Sequence, residues 1–233
     1  MKNILFLLLV IMAVLSSCNK GGEGVSVKEN SELKTKIDTV SYSLGVLMAK
    51  SLKQDKYYDS IDYGKFIAGF KEFFDGHQKI SAEEAENFLR KFSADKTLAE
   101  METEKQKNEE FLVKNAQKNG VKTTEDGLQY EVLESGNGIS PDTNDLVYIH
   151  YKGSLIDGTV FDAVADTAES VPLQMNKIIP GMKEALSMMK EGDKWKIYIP
   201  YKLAYGEYGV PNSPIKPYST LIFEITLDKV EKQ

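Results

Sequence analysis

The chain has 233 residues, 42% hydrophobic and 27% charged, with a net charge of −6. That composition is globular and long enough for one or two domains. The acidic balance, with no dense run of Lys and Arg, argues against a nucleic-acid footprint and against electrostatic docking on anionic lipid. One Cys and two His rule out a disulfide within the chain and leave little for metal or redox chemistry.

The first 17 residues read as a signal peptide: Lys2, an apolar run from Ile4 to Leu15, then Ser16 and Ser17. The run is too short for a comfortable membrane span. "LSSC" resembles the bacterial lipobox, which makes Cys18 the lipidated first residue of the mature protein. Asn19 follows the Cys rather than Asp, which by the enteric rule directs the protein to the outer membrane. The expected location is therefore the bacterial cell envelope, through a lipid anchor. Residues 18–34 are polar and Gly-rich and read as a tether.

Order is expected from about residue 35. "DTVSYSLGVLMAKSL" spaces Val40, Leu44, Leu47, Met48 and Leu52 as a helix, with Asp38 as its N-cap. "DYGKFIAGFKEFFDG" repeats the pattern, with Asp62 as cap, Phe66, Ile67, Phe70 and Phe74 on the stripe, and Gly76 as stop. Ser81 and Glu84 form a capping box for a third helix. Its apolar face (Ala85, Phe88, Leu89, Phe92) fades in "EMETEKQKNEE", which is rich in good helix formers. A helix from Ser81 to about Lys118 is roughly 55 Å long, and its polarity suits a stalk. Two short helices and half of a third make a very small core, so residues 35–119 are expected to be a helical dimerisation module with a stalk, pairing with a second copy through residues 35–118.

From residue 120 the composition changes. "LQYEVLESGNG", "DLVYIHYKGSLIDGTVFDA", "DKWKIYIP" and "STLIFEITLDKV" are short, β-branched and aromatic, with turn residues between them. Alternation places Val147, Ile149 and Tyr151 on one face, and Trp195, Ile197 and Ile199 together on another strand. One helix interrupts this sheet. In "KIIPGMKEALSMMKEG", Pro180 suits the first turn and Gly192 the stop, while Met182, Ala185, Leu186 and Met189 form one apolar stripe. The expected class is α+β, a curved antiparallel sheet wrapped on a short helix. His150 is expected to point outward and Trp195 to lie in the core beneath the helix.

The blocks "VYIHYKGSLIDGTVFDA", "IIPGMKEALSMMKEGDKWKIYIP", "AYGEYGVPNSPIKP" and "STLIFEITL" resemble, in order, the signatures of the FKBP family of peptidyl-prolyl isomerases. The segment "LKTKIDTVSYSLGVLMAKSLK" is similar to the start of the dimeric periplasmic and surface members of the macrophage infectivity potentiator type. The resemblance implies an isomerase domain over residues 120–233, acting on X–Pro bonds of exported polypeptides, with no cofactor and no metal, and with macrolides as inhibitors. By position it implies a site of Tyr151, Phe161, Asp162, Ile179, Tyr205 and Phe223, with Val171, Leu173, Ile178, Met182 and Ile215 lining the pocket and the helix as its floor. The Ile179 N–H and the Tyr205 hydroxyl would bind substrate carbonyls. Asp162 would orient Tyr151 or the substrate amide.

Three positions depart from the family pattern. Met182 stands where Trp is usual, Leu173 where an aromatic is usual, and "FDAVADTAESV" lacks a Lys or Arg to pair with Asp162. These departures point to a weaker activity, and keep open the alternative of a folding chaperone with a vestigial pocket.

Overall fold

The computed structural model describes residues 32–233 apart from positions 56, 59 and 166. The signal segment, Cys18 and the tether up to residue 31 lie outside the described residues. The chain divides into two compact units, with the division between Leu89 and Arg90.

In the first unit, α1 (Lys36–Gln54) starts on a capping box. The Thr35 hydroxyl accepts from the Asp38 N–H at 3.1 Å and Asp38 accepts from the Thr35 N–H at 2.7 Å. The N-cap is therefore Thr35, not the expected Asp38, which is its N3 partner. The pair satisfies two backbone donors where a cap at Asp38 alone would leave the preceding turn open. Asp62 caps α2 (Tyr63–Phe74) as expected, accepting from the Lys65 N–H at 3.0 Å, and Gly76 takes a φ of +75° just beyond it. Ser81 and Glu84 exchange their hydrogen bonds at the start of α3 (Ala82–Asn115). Among the described residues from 32 to 89, none is buried. Met48, Leu52, Phe66, Phe70, Phe73 and Phe88 instead line an apolar groove of about 860 Å³.

The second unit is a seven-stranded antiparallel sheet: β1 (Lys122–Thr123), β2 (Gln129–Glu134), β3 (Leu146–Ser154), β4 (Val160–Val164), β5 (Val171–Gln174), β6 (Lys194–Ile199) and β7 (Leu221–Glu231). The order is β1-β2-β6-β7-β3-β4, with β5 beside the first half of β3. Val147, Ile149, Trp195, Ile197 and Ile199 all point into one core, as alternation requires. Trp195 stacks on Tyr130 with ring centroids 4.7 Å apart.

α4 (Pro180–Met188) lies on this sheet with Met182 5% exposed and Ala185, Leu186 and Met189 fully buried. The helix ends at Met188, short of the expected stop at Gly192. The Met189 N–H closes it on the carbonyls of Ala185 and Leu186, and Met189 itself is already extended. Gly192, at φ +89°, serves the tight turn into β6. That turn is held by buried Asp193, whose carboxylate accepts from the N–H groups of Gly136 at 2.6 Å and Lys190 at 2.7 Å. Gly181 sets how close α4 comes: a Cβ there would sit 2.3 Å from the Ile199 Cγ2.

Tyr198, on the opposite face of β6, is buried as well. The last turns of α3 cover it, with the Phe111 ring 6.0 Å away and the Asn115 amide donating to Gln129 at 2.9 Å. The stalk expected from polarity thus ends as a packed element of the second unit. Its contact face is Asn108, Phe111 and Asn115, and two amides in three positions hide such a stripe from any hydrophobicity pattern.

Candidate active site

Tyr151, Phe161, Val171, Leu173, Ile178 and Ile179 are among the partly buried residues that pack against the core of the second unit. Met182, Ile215 and Phe223 belong to that core and are 5–6% exposed. Nine of the eleven residues expected at the site therefore converge on one apolar cluster. The remaining two, Asp162 and Tyr205, are exposed and stand at its edge.

Each position follows from its element. Tyr151 and Phe223 sit on the adjacent strands β3 and β7, with their rings 6.0 Å apart. Phe161 on β4 meets Phe223 edge-on at 5.5 Å. Edge-to-face contact of this kind suits the ring quadrupoles and sets the angle between these two rings. Val171 and Leu173 are brought in by β5, paired with Ile149 and Val147. Ile179 is the N-cap of α4, so its own N–H lies outside the helical ladder. Among the described residues no backbone carbonyl accepts it. Tyr205 lies in the loop from Ala204 to Pro217, which is braced internally: Val210 donates to the Ile215 carbonyl at 2.9 Å, and Gly206 to that of Tyr201 at 2.9 Å.

Gly153 was not among the expected residues. It lies in β3 opposite Phe223, and a Cβ there would come within 2.7 Å of the Phe161 ring and 2.9 Å of the Phe223 ring. The two aromatic walls meet above a residue with no side chain. The available signal was a glycine near the end of a nine-residue strand, which marks a bulge or a close approach.

The polar edge is a single strong hydrogen bond. The Tyr151 hydroxyl donates to Asp162 Oδ2 at 2.6 Å, the short distance of a charge-assisted bond. Asp162 is exposed, and among the described residues no cation is paired with it, so Tyr151 is the donor it finds. Burial, then the Asp162 bond and its charge, push the Tyr151 phenol up to about 12, and the nearby Tyr205 adds to this. His150 stays away from the cluster, its Nδ1 2.7 Å from Asp228 on the outer face.

The family models match this chain in two pieces, the FKBP-type peptidyl-prolyl cis-trans isomerase domain over residues 138–228 and the domain amino-terminal to it over residues 37–132. The peptidyl-prolyl cis-trans isomerase Mip of Coxiella burnetii is 38% identical over 218 residues, covering 90% of this chain and 94% of that protein. The chain belongs to the FKBP-type peptidyl-prolyl cis-trans isomerases. An outer membrane protein, MIP, of Legionella longbeachae is 36% identical over 216 residues, covering 89% of this chain and 91% of its own. The crystal structure of FkpA from Escherichia coli matches with a TM-score of 0.70 at 38% identity, covering 86% of this chain and 99% of the other. The α+β class with a helical N-terminal part is that of the family. As an FKBP-type isomerase, the chain acts on peptidyl-prolyl bonds.

The raised phenol gives a direct check on the geometry. Between about pH 10 and pH 12 the unfolded chain loses the Tyr151 proton while the folded chain keeps it, so stability from this group is present below pH 10 and is lost as pH rises through 12. Ultraviolet titration of the wild type minus Tyr151→Phe should show one of the 12 tyrosines ionising near 12 rather than near 10.

Proposed function

We propose that the apolar cluster is the catalytic pocket and that it works by its environment, with no covalent step and no proton transfer. The observation that carries this reading is the Tyr151–Asp162 bond at the edge of a cluster whose other members are apolar. The barrier to peptide rotation, about 18–20 kcal/mol, is the loss of amide resonance. Resonance separates charge between O and N, and the twisted amide separates less. Moving the amide from water to an apolar wall therefore favours the twisted state over both planar ones, which is transition-state complementarity. A thousandfold acceleration needs about 4 kcal/mol of such preference.

In this reading Tyr151, Phe161 and Phe223 surround the carbonyl that precedes the proline. The Ile179 N–H and the Tyr205 hydroxyl hold neighbouring substrate carbonyls. Val171, Leu173, Ile178, Met182 and Ile215 receive the proline ring. Asp162 acts through Tyr151, holding its phenol oriented and protonated. Met182 gives a deeper, more adaptable floor than a flat indole would. Macrolides that occupy this pocket are expected inhibitors.

Residues 35–118 are assigned to dimerisation. A unit in which no described residue from 32 to 89 is buried has no core of its own, and its apolar groove supports pairing with the same segment of a second copy. Cys18 is proposed as the lipidated residue, with the signal at 1–17 and the tether at 18–34. The relative named as an outer membrane protein supports placing the chain in the cell envelope, where exported polypeptides are the clients. The same groove favours a second reading, in which the N-terminal unit holds unfolded chains while the pocket contributes little.

Two measurements test these assignments. In a double-mutant cycle on a short X–Pro peptide, Tyr151→Phe and Asp162→Ala should each lower kcat/KM about tenfold, some 1.4 kcal/mol, and the double variant should be no worse than either alone. Additive losses would give Asp162 an independent role, and no loss would favour the holding reading. Phe70→Glu in the groove should turn the dimer into a monomer by light scattering while sparing turnover of the short peptide.

A further inference from the structure

Asn108 is 1% exposed although it sits in the most polar stretch of α3. Its Oδ1 accepts from the backbone N–H of Thr220 at 2.7 Å, and its Nδ2 donates to the Glu104 carbonyl at 2.8 Å and to Glu104 Oε1 at 3.0 Å. Every hydrogen-bonding site that points inward is used. Thr220 is fully buried, and its N–H would otherwise be an orphan donor at the start of β7.

Thr220 closes the loop that carries Tyr205. Two residues earlier, Tyr218 takes a φ of +61°, a conformation that bulky residues rarely adopt and that its surroundings must impose. Three contacts do so. Its N–H donates to the Gly206 carbonyl at 3.1 Å, its ring meets that of Tyr201 edge-on at 5.1 Å, and the Lys105 ammonium of α3 lies 5.7 Å from its face. Gly206 is the residue after Tyr205. A set of contacts thus runs from α3, through Thr220 and Tyr218, to the backbone of the residue that follows Tyr205.

We infer that Asn108 is a positioning residue for the isomerase, which fixes the Ala204–Pro217 loop and with it Tyr205 and the Ile215 wall. The C-terminal part of the long helix is then part of the active-site frame as well as a spacer. Leucine at this position could supply apolar packing, but it could neither accept from Thr220 nor donate back into its own helix, and the Asn108 amide does both. The inference rests on Tyr205 contacting substrate, and the experiment separates that premise from the grip on the loop.

Asn108→Ala, Lys105→Met and Phe111→Leu are compared in the otherwise complete chain, by amide hydrogen exchange and by kcat and KM on a short X–Pro peptide. Phe111 packs on Tyr198, on a different part of the sheet, and serves as the control for general loosening of the helix. Asn108→Ala should speed exchange in residues 204–217 at least about fivefold, the cost of one lost buried hydrogen bond, leave β3 and β6 protected, and raise KM several-fold with kcat nearly unchanged. Lys105→Met should do the same more weakly, and it decides the matter if Asn108→Ala does not fold. Phe111→Leu should move neither readout. Unchanged loop exchange, exchange quickened evenly through the domain, or an equal response to Phe111→Leu would overturn the inference. A loosened loop with unaltered KM would overturn it too, by removing Tyr205 from the substrate site.

Discussion

The close seating of α4 on β6 is the constraint on which the rest of the site depends. Gly181 lets the helix approach until its backbone meets Ile199, and the stripe of Met182, Ala185, Leu186 and Met189 then disappears into the sheet. Burying Met182, Leu186 and Met189 is worth about 1.5–3 kcal/mol each, which holds the helix in this seat. The helix opens at Pro180 at the margin of the core, with Ile179 as its N-cap. That is why Ile178 and Ile179 remain half-covered and the Ile179 N–H is left outside the helix. In the proposed pocket this end of the helix is the floor.

The walls follow the same logic of close approach. Without a Cβ on Gly153, Phe161 and Phe223 can meet edge-on above β3, and Tyr151 stands beside them with its hydroxyl turned outward to Asp162. The apolar faces look inward and the one short polar contact is at the edge. This separation suits a reaction in which charge separation falls on the way to the transition state. A charged group aimed at the amide would stabilise the planar, more polar form as well, and so would help less.

Much of this was legible in the residues. Strands β3 and β6 declared themselves by alternation, and α2 and α3 by their caps, while the proposed site rests on residue types matched to signature blocks. The misreadings have physical causes. Asp38 and Thr35 are both good cap residues, and only the reciprocal bonds show that Thr35 is the cap and Asp38 its partner. Gly192 is a proper stop signal, but a turn held by Asp193 ends the helix earlier and uses the glycine for its own bend. The docking of α3 was illegible because Asn108 and Asn115 read as solvent-facing until their partners, Thr220 and Gln129, are seen. Gly153 was passed over for a similar reason: what it does is decided by rings attached elsewhere in the chain.

The central claim is that the pocket lowers the rotational barrier by its environment and moves no proton. The most direct test is kcat/KM for a short X–Pro peptide measured in light and in heavy water, with the uncatalysed rate taken alongside. The account predicts the same catalysed rate in both solvents. A catalysed reaction clearly slower in heavy water, with the uncatalysed rate unchanged, would mean that a proton moves in the rate-limiting step, and would contradict the account.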